Sequence, residues 1–374
     1  MKKILIFILS VVILVYQTAL FCRAYAIPSL SAESAILMDL DSGQTLARYN
    51  DDQTMGMAST TKIMTALTVV KLADISRVVS IPKEAVGTEG SSVYLYENER
   101  LTIEQLLYAL LLSSANDAAV ALAICVSGST ENFVREMNTI ARDLGLESTH
   151  FTNPHGLYDE NHYTTAYELA MITREALKNS TLKKIFATYK ADIPRDDIPD
   201  SRLLINHNKL LKSYAGAIGV KTGFTKRTGR CLVSAAERNG LTLICVTLNA
   251  PDDWKDHTSL LDYGFENYER RIIANAGEFT YEMSVVGGAK DSVLLTNTLP
   301  LTLTVRKNDT ETEFKILSQN HFLYAPISEG AVCASVTVSC NGDFSSSPLA
   351  VSTEIPPKPS KNLWEKIAHI LKKE

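Results

Sequence analysis

The spacing of apolar and polar positions changes character several times along the chain, and each change predicts a different kind of element. "AILMDLDSGQTLARYN" holds two strand-like runs around Asp41-Ser42-Gly43 and reads as a hairpin. From there to about residue 190 the pattern is mostly helical. One helix starts at Thr102, with Gln105 in the capping-box position and an apolar stretch through Leu112; another covers "TTAYELAMITREALKN". After residue 215 the period shortens, and "CLVSAAERNGLTLICVTLNA" becomes two β-rich runs joined at Asn239-Gly240, a strong hairpin signal. Strands at both ends of a helical middle predict one antiparallel sheet closed by distant segments, an α+β layer architecture. We assign residues 27–272 to this domain. Residues 273–350 carry short alternating runs such as "LPLTLTVRK" and "AVCASVTVSC" and read as a separate small all-β domain. Residues 351–360, "VSTEIPPKPS", read as a Ser/Pro-rich linker.

Both ends of the chain have their own patterns. Lys2 and Lys3 precede an apolar run from Ile4 to Leu14, and "AYA" ends at Ala26, so residues 1–26 read as a secretory signal peptide. In residues 361–374, Leu363, Trp364, Ile367, Ile370 and Leu371 fall within an arc of roughly 120° when advanced at about 100° per residue. Lys361, Lys366, Lys372 and Lys373 lie opposite. This segment is too short to span a bilayer and reads as an amphipathic helix at a membrane surface.

Composition narrows the function. The net charge of −5 becomes −8 once Lys2, Lys3 and Arg23 leave with the signal, which argues against a nucleic-acid partner. Cys125, Cys231, Cys245, Cys333 and Cys340 form an odd set in mostly apolar strings, and read as small core residues rather than a disulfide framework. The seven histidines show no metal-ligand spacing, so neither a metal nor a cofactor is expected.

Ser-x-x-Lys occurs three times, at Ser59–Lys62, Ser80–Lys83 and Ser180–Lys183. Pro82 disfavours the second, and the third follows Asn179 and reads as a connector between helices. Only the first opens onto a sustained apolar helix, placing Ser59 and Lys62 on one face. Serine at a helix start is also a common cap, so the motif alone leaves Ser59 open between cap and nucleophile. "SSAND" adds Ser114 and Asn116 on a short loop between two helices, and "GVKTGFT" adds Lys221, Thr222 and Gly223 on the strand before the hairpin. Ser-x-Asn recurs at Ser318 and Ser339, whereas the Lys-Thr-Gly string occurs once.

The three strings in this order, 55 and then 107 residues apart, resemble the active-site set of penicillin-recognising serine acyltransferases. "NPHGL", "HYTTAYELA", "NHNKLL", "GVKTGFTKRTGRCLV" and "LLDYGFENY" extend the resemblance to the low-molecular-weight D-alanyl-D-alanine carboxypeptidases. That resemblance implies a DD-peptidase/β-lactamase-like antiparallel sheet with helices on both faces, followed by the all-β domain and a terminal membrane tether. It also implies an exported enzyme at the outer face of the cytoplasmic membrane, with peptidoglycan stem peptides as substrate and β-lactams as covalent inhibitors.

The same resemblance assigns the roles. Ser59 would be the nucleophile and Lys62 its base, with the Lys62 amine neutralised by burial and by the charge of Lys221. Lys221 would also attract the substrate carboxylate. Ser114 would return the proton to the departing nitrogen, and Asn116 would hold the scissile peptide. Gly223 would let the substrate approach the strand edge, Thr222 and Thr225 would donate to the substrate carboxylate, and the backbone N–H groups of Ser59 and Phe224 would form the oxyanion hole. Some family members bind carboxylate with an arginine shortly before the "LLDYGF" string. Here that stretch reads "APDDWKDHTS", leaving Lys226, Arg227 or Arg230 as substitutes. Two other readings remain: a class A β-lactamase, whose Glu-x-x-Leu-Asn string is missing between Ser114 and Lys221, and a non-catalytic cell-wall binding or sensor protein.

Overall fold

The computed structural model describes residues 27–195, 200–340 and 342–359. Its first unit, ending at Asn267, is built on an antiparallel sheet whose strands come from both ends of the segment. The hairpin of β1 (Ser34–Asp39) and β2 (Thr45–Tyr49) forms one side. Two short pairs lie outside the sheet, β3 (Val78–Ser80) with β4 (Arg100–Thr102) and β5 (Lys190–Pro194) with β6 (Ser201–Ile205). The sheet is completed by β7 (Ala217–Thr225), β8 (Gly229–Arg238) and β9 (Leu241–Leu248), in the order β2-β1-β9-β8-β7. Asn239 and Gly240 both take positive φ, the geometry that a two-residue turn needs to match strand twist.

The sheet is covered on both faces, as its apolar strands require. Ile36, Met38, Ile244 and Val246 belong to the core shared with the helical middle. Their alternates meet the helix Asp253–Asn267: Gly264 lies against Leu37 and Leu243, and Thr247 bonds His257. In the helical middle, Lys62–Leu72 (α1), Ile103–Leu112 (α2) and Asn116–Ser127 (α3) are each buried over most of their length. The α2 start has the expected capping box, with Gln105 N–H donating to Thr102 Oγ1 at 3.1 Å and Thr102 N–H to Gln105 Oε1 at 2.8 Å.

Ser180 and Lys183 lie on a helix of their own, Ser180–Ala187, rather than on a connector. The Asn179 side chain caps it by accepting from Leu182 N–H, so that Asn179 begins a new helix as well as ending the previous one.

The second unit starts at Tyr268, ahead of the expected 272/273 boundary, because β10 (Tyr268–Ala274) already pairs within it. Its strands β11 (Thr280–Val286), β12 (Ser292–Asn297), β13 (Leu301–Arg306), β14 (Glu313–Leu317), β15 (Phe322–Tyr324), β16 (Val332–Cys340) and β17 (Asp343–Val351) form the β10–β13 pair and a six-stranded sheet. Leu295, Leu303, Val336 and Leu349 sit in its core. The expected linker is bound to this unit: Val351 closes β17, Ile355 is buried and exchanges backbone hydrogen bonds with Ile327, and Lys358 N–H donates to Gly287 O. An apolar side chain in a proline-rich strand supplies the anchor that composition alone did not reveal. Among the described residues the five cysteines are free; Cys231, Cys245 and Cys340 are buried, while Cys125 and Cys333 are half-buried. Residues 1–26, read above as a signal peptide, and residues 361–374, read as an amphipathic helix, lie outside the described residues, and no described helix is long and apolar enough to cross a membrane.

Candidate active site

Ser59 lies in a short 3₁₀ turn, Ala58–Thr61, directly before α1. Ala58 takes a φ of 48°, a strained conformation for a residue with a Cβ. Several contacts hold this turn. Thr60 Oγ1 donates to Met57 O at 2.6 Å and Thr61 Oγ1 to Ala58 O at 2.7 Å. Thr152 N–H donates to His162 Nδ1, which leaves the ring hydrogen on Nε2 to donate to Thr61 Oγ1 at 2.7 Å. Burial pushes the His162 pKa down to about 3, so the ring is neutral. Gly156 fits against the turn only because it lacks a Cβ, which would fall 2.0 Å from Ala58 O. The α1 N-cap residue is Thr61, so Ser59 is not used as a cap.

Lys62 is fully buried, and its Nζ has three neighbours. Asn116 Oδ1 is at 2.7 Å, His155 O at 2.6 Å and Ser59 Oγ at 3.1 Å. The amide orientation of Asn116 is fixed by Nδ2 donating to Glu89 O at 2.6 Å. Both polar ends of Asn116 are thus engaged within the protein, one on Lys62 and the other on Glu89 O, which fixes the amide at the edge of the site. Burial and then the Lys221 charge hold the Lys62 pKa well below the ordinary lysine value, with Asp117 opposing them. Asp117 is buried beneath the loop that frames the site, accepting from Ser92 Oγ and from Leu95 N–H.

Strand β7 contributes residues to two faces, as the two-residue period requires. On the face toward Ser59, Lys221 is buried, donates from Nζ to Thr222 O at 2.9 Å, and has its pKa lowered to about 7 by burial. A Cβ at Gly223 would lie 3.1 Å from Met57 O, Ser59 N and Thr60 N. The glycine is therefore needed for close approach to the turn that carries Ser59, a constraint separate from substrate access. Thr225 is engaged within the turn to β8: its Oγ1 accepts from Thr228 N–H and pairs with Thr228 Oγ1. Thr222 and Phe224 alternate with these residues, and together with Gly223, Ser59 and Ser114 they line the cleft at the strand edge. Ser114 sits between α2 and α3 with a φ of 56°.

The cleft measures about 400 Å³ and also includes His207, Arg230 and Trp254. The structure thus gathers Ser59, Lys62, Ser114, Asn116, Lys221, Thr222, Gly223 and Phe224, and turns Thr225 to a structural task. Sequence reasoning did not single out His155, whose carbonyl receives a Lys62 hydrogen, or His162. Both fall in strings noted only for resemblance, and neither has a local partner that signals its contact. The other two Ser-x-x-Lys pairs take no part: Lys183 pairs with exposed Glu237, and Lys83 begins a 3₁₀ turn after Pro82.

Residues 22–252 match the family model described as D-alanyl-D-alanine carboxypeptidase, peptidase S11. A curated relative, D-alanyl-D-alanine carboxypeptidase DacF of Bacillus subtilis, is 32% identical over 337 residues, covering 87% of this chain and 86% of that protein. The crystal structure of penicillin binding protein 5 from Haemophilus influenzae is 31% identical with a TM-score of 0.73, covering 88% of this chain and 99% of that one. A peptidoglycan synthesis regulatory factor (PBP3) from Streptococcus pneumoniae shares the fold at 23% identity and a TM-score of 0.78, covering 88% of this chain and all of that one (100%). Motifs, sheet order and comparisons agree: the chain belongs to the D-alanyl-D-alanine carboxypeptidase family.

Proposed function

We propose that the protein removes the terminal D-alanine from peptidoglycan stem peptides through an acyl-enzyme on Ser59, and that penicillins acylate the same hydroxyl. The observation that carries this reading is the partner set of Lys62. A neutral amine has two N–H donors and one lone pair. Asn116 Oδ1 and His155 O can only accept, so they take the two hydrogens, and the lone pair is left facing the Ser59 hydroxyl. Lys62 is then ready to take the Ser59 proton as the oxygen attacks the scissile carbonyl.

Ser114 returns the proton to the departing nitrogen. The backbone N–H groups of Ser59 and Phe224 receive the oxyanion, and losing one such donor costs about 2.7 to 4 kcal/mol. The contact of Gly223 with the nucleophile turn supports that placement. An incoming carboxylate raises the Lys221 pKa from about 7 and fixes its positive charge.

Mass spectrometry of the penicillin-treated protein should locate one adduct, on Ser59, and Ser59→Ala should release no D-alanine from a peptide ending in D-Ala-D-Ala. Parental release by that variant sinks the reading. A long-lived adduct suits a peptidase, and rapid penicillin turnover would favour a β-lactamase.

The work site is the cell wall, outside the cytoplasm. Cleavage of residues 1–26 and peripheral attachment through residues 361–374 complete the proposal, supported by the sequence patterns of those segments. A chain ending at Lys358 should leave the membrane fraction with its peptidase activity intact; unchanged membrane recovery removes the tether.

A further inference from the structure

A carboxypeptidase must recognise the free carboxylate of its leaving residue, which lies within about 4 Å of the scissile carbonyl along the backbone. Of the three substitutes left by the sequence, only Arg230 lines the cleft that holds Ser59. Arg227 instead lies over the Tyr158 ring at 5.4 Å. Arg230 stands opposite Phe224 in the β7–β8 register, on the sheet face shared with Thr222. Its Nη2 pairs with Asp253 Oδ1 at 3.0 Å, its guanidinium lies 6.0 Å from the Trp254 ring centre, and its Nε is buried without a hydrogen-bond partner. Asp253 is buried and also accepts from Trp254 N–H, so it holds the arginine from a fixed position. The fork is oriented yet retains donors, as two-pronged recognition of a carboxylate requires. Lys209 also lines the cleft, but as a single-point charge on another segment, 5.9 Å from the Trp254 ring centre. Lys221 acts from beneath, with its amine buried and donating to Thr222 O.

We propose that Arg230, held by Asp253 and Trp254, is the specificity-determining residue that binds the carboxylate of the departing D-alanine. The proposal rests on the carboxypeptidase reading above. It places on β8 a function that some relatives supply from the segment shortly before the "LLDYGF" string, where this chain has no arginine.

The test compares two peptides with the full chain, one ending in a free D-Ala-D-Ala carboxylate and the other in its C-terminal amide. The parent should prefer the carboxylate by about 100-fold in kcat/KM, and Arg230→Ala should bring that ratio close to unity. Arg230→Lys should restore about tenfold, charge without the fork. Because Arg230→Ala leaves Asp253 unpaired, the double variant Arg230→Ala/Asp253→Asn should show the same loss of preference with both charges removed. Arg227→Ala should keep the parental ratio. A parental preference in both Arg230→Ala and the double variant overturns the proposal, as does an equal loss on the two peptides. If the parent cleaves neither peptide, the carboxypeptidase reading itself fails.

Discussion

Asn116→Asp tests the base most directly, because it changes charge with little change in shape. The new carboxylate oxygen would stand where Asn116 Oδ1 now stands, 2.7 Å from Lys62 Nζ. At an effective dielectric constant of about 20, two unit charges at that distance attract by about 6 kcal/mol. If roughly half survives the desolvation of the new anion, about 3 kcal/mol favours the protonated amine, or about two pH units at 1.36 kcal/mol each. An opposite charge raises a lysine pKa, so less neutral Lys62 remains at neutral pH to accept the Ser59 proton. The assay is the second-order rate of acylation by a fluorescent penicillin, measured from about pH 5 to about pH 10. The rising limb of that profile should move to higher pH by about two units, with the rate recovering on the alkaline side. The variant also loses the donor to Glu89 O, so its melting temperature should fall. Asn116→Ala loses that donor too but adds no charge, and its limb should move less. A limb in Asn116→Asp at the parental pH would show that Lys62 is not the titrating base, and the catalytic assignment would fall.

Gly223→Ala should lower kcat/KM about tenfold or more, because its Cβ would press on backbone atoms of the Ser59 turn that cannot rotate away; parental kinetics would refute the tight approach. Arg202→Ala should destabilise the fold by about 3 to 5 kcal/mol by leaving the buried Glu99 carboxylate unpaired. Urea unfolding should show partial recovery when Glu99→Gln is added, and no recovery would contradict the charge argument. His257 is buried between Ser234 and Thr247 with its pKa pushed down to about 3 by burial. Its unfolded form binds a proton below a pKa of about 6.5 while the folded form does not. Stability is therefore full above that pH and falls by about 1.4 kcal/mol per pH unit as the pH drops toward 3. Thermal unfolding of His257→Asn from pH 7 to pH 4 should show a shallower acid slope than the parent; equal slopes would exclude this ring as a contributor.

Local periodicity determined much of this protein. The three-residue offset put Ser59 and Lys62 together, the capping box set the α2 start, and Asn239-Gly240 set the β8–β9 hairpin, because each depends on residues within one turn of chain. The choice among the three Ser-x-x-Lys pairs was also legible, since only one opens a buried helix. The pattern misjudged Ser180–Lys183, where Asn179 serves both as the end of one helix and the cap of the next, and residues 351–358, where one buried isoleucine outweighs the prolines. What surrounds the Lys62 amine was decided by the tertiary structure alone. Its acceptors come from Asn116 and His155, 54 and 93 positions away, and its depressed pKa comes from burial and from Lys221 on a distant strand. Thr225 and Gly223 are likewise defined by the turn and the backbone they meet. A sequence period reports which face of an element is covered, but a proton's affinity depends on the atoms within a few ångströms of it, and remote segments supply those.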